Sequence, residues 1–316
     1  MSNYINQNLR IIFFGTPEFA AIILKKMIEG GYPPIAVVTV PDKPVGRKQI
    51  LVPPATKIIA EKYKIPVFQP EKIENWKLEI ENLKPDLIIL AAYGQILPAE
   101  ILNIPRFGCL NIHPSLLPKY RGPSPIQATI LNGDEETGVT IILMDEKIDH
   151  GPIIQSKKLN IKDRKLTSSQ LSEELAKLGG DLLIEILPKW IEGKIKLNPQ
   201  NHSKATYTKM IKKEDGKINW QKSAEEIEKM IRAYDPWPGT YTYIKSKMLK
   251  IIKADILKTE ERRKPGMVFL TKKNELAVAC GKNALILKEV QLEGKRKMTV
   301  QEFLNGHPEI INTLLI

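Results

Sequence analysis

Asn111 and His113 stand two residues apart just before Pro114, and an acid follows in the turn Asp149, His150, Gly151. The apolar run 109–112 suits a short buried strand, and Pro114 ends the ladder because proline has no N–H to donate. Side chains at i and i+2 share one face of a strand, so the Asn111 amide and the His113 ring line one wall as a polarising pair. A carboxylate beside them would complete a proton-transferring trio. Taken singly, each group has a plainer reading: loop histidines are commonly solvated or structurally hydrogen-bonded, and an acid in a surface turn is ordinary. Of the four histidines, at 113, 150, 202 and 307, only His113 is flanked by a strand-like run and a proline-containing loop. His150 could compete for the acid–base role, although no amide stands two residues before it.

The elements that must hold these groups alternate in type. An apolar run at 9–14 ends in a turn at 15–18, and 19–28 follows with helical periodicity, Pro17 standing where a helix start tolerates its missing N–H. Strands are expected at 35–40, 86–92, 109–112, 139–144 and 153–159, a helix at 55–63, and a long helix at 167–190 that closes near Pro188. Such alternation predicts a doubly wound, mostly parallel, Rossmann-like α/β sheet. Gly193, Asn198, Pro199 and Asn201 then break periodicity. Beyond them a helix at 224–233, five short β-rich runs between 240 and 291 and a last helix near 300–305 predict a small OB-like β-barrel. The expected division is a catalytic domain over 1–190, a linker over 191–206 and a barrel domain over 207–316.

The formal charge of +12 is unevenly spread: residues 1–199 carry 25 basic and 22 acidic side chains, residues 200–316 carry 23 and 14. The basic excess of the later part is the footprint expected for a polyanion partner, since each neutralised phosphate releases condensed counterions. A lysine-rich surface kept for solubility or heat resistance would have the same composition. Cys109 and Cys280 provide neither a disulfide framework nor CxxC metal spacing, which fits a reducing cytoplasm. Among its apolar neighbours Cys109 reads as a buried strand residue, not a nucleophile. Residues 1–10 lack the apolar core of a signal peptide, and no run approaches the roughly 18 apolar residues of a membrane span. A soluble cytoplasmic protein that does not enter the membrane is expected.

Open α/β sheets bind ligands at the carboxyl ends of their strands. The first such turn, 14–18, contains neither GxGxxG nor GxxxxGK(S/T), which argues against a tightly held dinucleotide and an ATP phosphate cradle. Polar residues gather instead at later strand ends: Tyr93, Gly94 and Gln95, then Asn111 and His113, then Asp149.

The run from Asn111 to Pro118, with Arg121 and Gly122 behind it, and the Asp149 turn closely resemble the signature of the folate-dependent formyltransferases. In that family Asn, His and Asp at these motif positions move a formyl group from 10-formyltetrahydrofolate to an amine. The resemblance implies that Asn111 and His113 hold and polarise the formyl oxygen, while Asp149 orients or charges His113 and helps remove the amine's proton. It also implies folate contacts from Ser115, Leu116, Leu117 and Pro118 and from Tyr93, Gly94 and Gln95. The residue types agree: an amine attacking an N-formyl carbon generates an oxyanion that needs preoriented donors, and neither a metal nor a covalent enzyme intermediate is required.

Stretches at 14–20, 41–47, 66–70, 92–98, 124–127 and 232–239 resemble the branch of this family that acts on initiator methionyl-tRNA to make the formylated tRNA of translation initiation. The stretch 41–51, with Lys43, Arg47 and Lys48, is long for a βα connection and reads as a functional loop. The resemblance implies that it enters the acceptor arm of the tRNA. Lys245, Lys247, Lys250 and Lys253 are candidates for contacts to the RNA backbone. The alternative is an enzyme of the same chemistry acting on a nucleotide-linked amino sugar, for which neither the basic loop nor the basic second half is needed. A monomer is expected.

Overall fold

The computed structural model describes residues 9–45, 49–162 and 164–316. Two compact units are present. One runs to Pro125 and includes Glu136–Ile161 and Ser172–Lys209; the other comprises Ile126–Glu135, Lys162–Leu171 and Met210–Ile316.

The first unit is built on β1 (Ile11–Gly15), whose five residues are all buried. A strand covered on both faces needs no polar alternation, so it reads as an unbroken apolar run. Helix α1 (Glu18–Glu29) starts behind Pro17 and buries Phe19, Ala20, Ile23, Leu24 and Met27, one stripe at helical spacing. There follow β2 (Ala36–Val38), β3 (Lys43–Val45), β4 (Ile50–Val52), α2 (Ala55–Lys62), β5 (Val67–Phe68), α3 (Lys77–Leu83), β6 (Leu87–Ala91), α4 (Ala99–Leu102) and β7 (Cys109–His113). Beyond α5 (Pro125–Asn132) come β8 (Glu136–Leu143), β9 (Ile153–Asn160) and α6 (Ser168–Ile191).

The seven-stranded sheet has the order β5-β2-β1-β6-β7-β8-β9. Its members up to β7 pair in parallel, whereas β8 and β9 pair antiparallel. Gly179 of α6 faces Ile112 and Val139, and a Cβ there would come within 2.8 Å of Ile112 Cγ2, so the glycine lets the helix lie close over β7 and β8. The helix expected over 167–190 runs from Ser168 through Pro188 to Ile191. Glu192 N bonds the Pro188 carbonyl at 3.1 Å and Trp190 Nε1 donates to Phe107 O at 3.0 Å, which holds the last turn in place. The 41–51 stretch contains a short antiparallel pair, β3 with β4, and β4 is exposed along its length.

In the second unit, α7 (Ala224–Ala233) opens on a capping box between Ser223 and Glu226 and buries Ile227, Met230 and Ile231. The strands β10 (Thr240–Ile244), β11 (Lys247–Leu257), β12 (Val268–Leu270), β13 (Leu276–Ala279) and β14 (Ala284–Leu292) form an antiparallel sheet in the order β10-β11-β14-β13-β12. β15 (Met298–Thr299) adds to β14, and α8 (Val300–Gly306) follows. The sheet curls into a half-barrel. No β10–β12 ladder closes it among the described residues; main chain from 313–316 spans the gap, with Tyr243 N donating to Ile316 O at 2.8 Å and Val268 N to Thr313 O at 2.9 Å. Among the described residues no helix is long and apolar enough to cross a membrane.

Candidate active site

β7 delivers the first two groups. It is buried along its whole length, and the two-residue period places both the Asn111 amide and the His113 ring against one carboxylate. Asn111 Nδ2 donates to Asp149 Oδ1 at 3.0 Å, and His113 Nδ1 lies 3.5 Å from the same oxygen. The other carboxylate oxygen, Oδ2, accepts the Gly122 backbone N–H at 2.7 Å. His113 Nε2 faces the carbonyl oxygen of Tyr120 at 2.9 Å. A carbonyl can only accept, so Nε2 carries the proton in that contact.

After Pro114 the chain makes a loop braced from β8. Thr140 Oγ1 donates to Ser115 O at 2.7 Å and accepts from Leu117 N at 3.1 Å, while Ser115 Oγ donates to Lys119 O at 2.5 Å. Ser115 and Leu117 are buried, and the loop is tied again where Tyr120 N donates to Thr206 Oγ1 at 2.8 Å. Asp149 arrives in a turn that follows β8, at a φ of +50°, a left-handed conformation that aspartate tolerates better than most residues.

The structure therefore brings Asn111, His113 and Asp149 together, and sets Ser115, Leu116, Leu117 and Pro118 on the loop leaving His113. Tyr93 follows β6, fully buried edge-on to Phe14 at 5.2 Å, and its hydroxyl has no hydrogen-bond partner among the described residues. Burial pushes that phenol up to about 12. Gly94 sits at φ +93°. Gln95 spends its amide on main chain, accepting from Ile73 N at 2.9 Å and donating to Glu71 O at 3.2 Å. Lys43 is exposed on β3, whereas Arg47 and Lys48 lie outside the described residues. His150 is turned to Asp145, Nδ1 to Oδ2 at 2.6 Å, and stacks on His202 with ring centroids 4.0 Å apart. Cys109 is buried, and its thiol is pushed up to about 12 by burial, which leaves no thiolate for chemistry.

Sequence reasoning gave no part to Thr140, Thr206 or Gln200. They act at a distance along the chain, and only Arg121, inside the motif itself, had any local mark. A cavity of about 790 Å³ opens between the start of β7 and the turn after β8, and none of Asn111, His113 and Asp149 lines it. Leu102, Phe107, Cys109, Met144 and Trp190 form apolar walls, and Asp145 and Glu146 add carboxylates.

Comparison with known proteins places this geometry. A model described as formyl transferase matches residues 9–187, and one described as formyl transferase, C-terminal domain, matches 210–308. Methionyl-tRNA formyltransferase of Caldanaerobacter subterraneus subsp. tengcongensis is 45% identical over 302 residues, covering 95% of this chain and 97% of its own. The protein of that name from Methylococcus capsulatus is 42% identical, with coverage of 95% and 97%. Among solved structures, an N-formyltransferase from Helicobacter canadensis in complex with folinic acid and dTDP-3-aminofucose superposes with a TM-score of 0.63 at 22% identity, over 88% of this chain and 99% of that one. HypX from Aquifex aeolicus in complex with tetrahydrofolic acid superposes with a TM-score of 0.64 at 17% identity, over 96% of this chain and 48% of that one. These two likenesses speak to the fold, whereas the full-length identities decide descent: the chain belongs to the methionyl-tRNA formyltransferase family.

Proposed function

We infer that the protein transfers the formyl group of 10-formyltetrahydrofolate to the amino group of methionyl-initiator tRNA, giving N-formylmethionyl-tRNA. The observation that carries this reading is the contact of one carboxylate, Asp149, with both Asn111 and His113, in a chain whose full-length relatives bear the name methionyl-tRNA formyltransferase.

When bound, 10-formyltetrahydrofolate supplies the formyl carbon and the nitrogen that leaves it. The residues present suit such a group: the cavity between the start of β7 and the turn after β8 pairs apolar walls with the Asp145 and Glu146 carboxylates, and a flat heterocycle bearing N–H donors needs both. The loop 115–118 and the turn 93–95 are assigned to the rest of the folate.

Asn111 has two amide N–H groups, and with one committed to Asp149 the other is the donor for the formyl oxygen as it becomes anionic. With the Nε2 proton of His113 given to Tyr120 O, Nδ1 is the ring atom that takes the amine's proton. Asp149, beside Nδ1, balances the imidazolium so formed, which then gives its proton to the nitrogen that leaves, so that His113 ends neutral.

The tRNA is assigned to Lys43, Arg47 and Lys48 at its acceptor arm and to the basic residues of the last third at its backbone. Exposed Lys43 and the exposed apolar strand Ile50–Val52 support the first assignment, and the basic excess over 200–316 supports the second. A catalytic domain over 1–190, a connection over 191–206 and a tRNA-binding domain over 207–316 go with this reading, supported by a compact unit that includes Met210–Ile316. So do a monomeric state and a cytoplasmic location.

The test is formylation itself. Protein, 10-formyltetrahydrofolate and either methionyl-initiator tRNA or a nucleotide-linked amino sugar are incubated, and N-formyl product is followed by mass spectrometry. Product on the tRNA is expected; product on the sugar alone rejects the assignment.

A further inference from the structure

Gln200 lies in the stretch that composition marks as a connection, yet it is 5% exposed and its amide is fully used. Nε2 donates to Asp149 O at 2.9 Å and to Gly151 O at 2.7 Å. Oε1 accepts from Arg121 Nε at 3.2 Å and from Arg121 Nη2 at 2.7 Å. Arg121 is itself buried, and Nη2 reaches His202 Nδ1 at 2.8 Å while Nη1 reaches Tyr207 Oη at 3.3 Å. Because a guanidinium only donates, it fixes which end of the amide is oxygen, and the NH₂ end then points at the two carbonyls.

The start of the turn is held from within, Lys147 N donating to Asp145 Oδ1 at 3.0 Å and His150 N to Lys147 O at 3.4 Å, and Gln200 grips its end. Asp149 stands at φ +50°, and Gly151 passes so close to the Leu143 carbonyl that a Cβ would collide with it. Main-chain carbonyls taken out of water need a donor, and the Gln200 amide supplies it to residues 149 and 151. We propose that Gln200 is a positioning residue for formyl transfer: oriented by Arg121, it clamps the 149–151 turn and thereby aims the Asp149 carboxylate at Asn111 and His113. The proposal rests on the formyl-transfer reading of the trio. Gln200 touches no reacting atom and acts through Asp149 alone. Glutamate would turn an oxygen toward two carbonyl oxygens, and a thioether has nothing to donate.

Two variants test this. Gln200→Met keeps length and removes the donors; Gln200→Glu keeps the acceptor for Arg121 and removes the donors. Both are expected to lower kcat by about 10- to 100-fold, because a displacement of about 1 Å at a catalytic group has that order of effect. KM for tRNA and for folate should stay within about twofold of wild type. In Gln200→Met the pH profile of kcat/KM should also move, and backbone amides at 146–151 should exchange hydrogen faster. Wild-type kcat and pH profile in either folded variant, even with a lowered melting temperature, overturn the proposal. So does failure of both variants to fold, which would assign Gln200 to stability. Hydrogen exchange needs no turnover: if the wild type forms no formyl product while exchange at 146–151 still rises in the variants, the functional reading fails and the clamp stands.

Discussion

The Gly122 N–H donates to the Asp149 carboxylate at 2.7 Å, tying the loop that leaves His113 to the turn that carries the acid. Gly122 has a φ of +102°, open to glycine and strained for other residues, and a Cβ there would meet Thr208 O at 2.9 Å. The glycine after Arg121 is therefore required by backbone geometry as well as by the site.

Asp149→Asn keeps the shape of the side chain but sets an NH₂ among the donors Asn111 Nδ2 and Gly122 N. Turnover in a single-turnover formylation assay should fall by roughly 10²- to 10⁴-fold, the usual worth of a positioned acid–base group. Stability in urea should fall by about 1–3 kcal/mol for the donor left unpaired, with tRNA affinity kept.

His202 predicts a pH effect on stability. Its Nδ1 accepts from Arg121 and so bears a lone pair, and partial desolvation of this exposed ring, with the His150 and Arg121 charges beside it, lowers its pKa from 6.5. As pH falls through 6.5 the unfolded chain takes up the proton before the folded one, so the contribution is present above 6.5 and lost on acidification toward the lowered value. Melting temperatures between about pH 7.5 and 5.5 should fall more steeply for wild type than for His202→Gln, which keeps an acceptor for Arg121.

Neither cysteine should react in the folded protein. Burial pushes Cys109 and Cys280 up to about 12. Titration with a chromogenic disulfide at pH 8 should therefore show no fast thiol, and both should appear on unfolding; fast labelling of either would contradict its burial.

Replacing Lys43 and Arg47 by alanine should raise KM for tRNA and leave KM for folate unchanged. The dependence of log affinity on log salt should flatten by about one unit for each phosphate no longer neutralised, read by filter binding at several ionic strengths. An unchanged salt slope would place the tRNA elsewhere on the protein.

Much of the frame is legible in the chain because its causes are local. β1, β6 and β7 are buried apolar runs ended by turn residues, α7 carries its capping box in four consecutive residues, and β10 and α7 fall where periodicity places them. Less was legible where the determinants are weak: two-residue β5 and β15 have too little pattern. The shared wall of Asn111 and His113 follows from residue type and the period of two, both readable without coordinates. Which acid meets them does not. Asp149 lies 38 residues from Asn111, and Gln200 lies 51 from Asp149. Their approach depends on how the segment after β8 folds back over β7 and how the 191–206 stretch runs along it. Alternation is a property of neighbours in sequence, whereas a hydrogen bond between distant loops exists only once the sheet beneath them has formed.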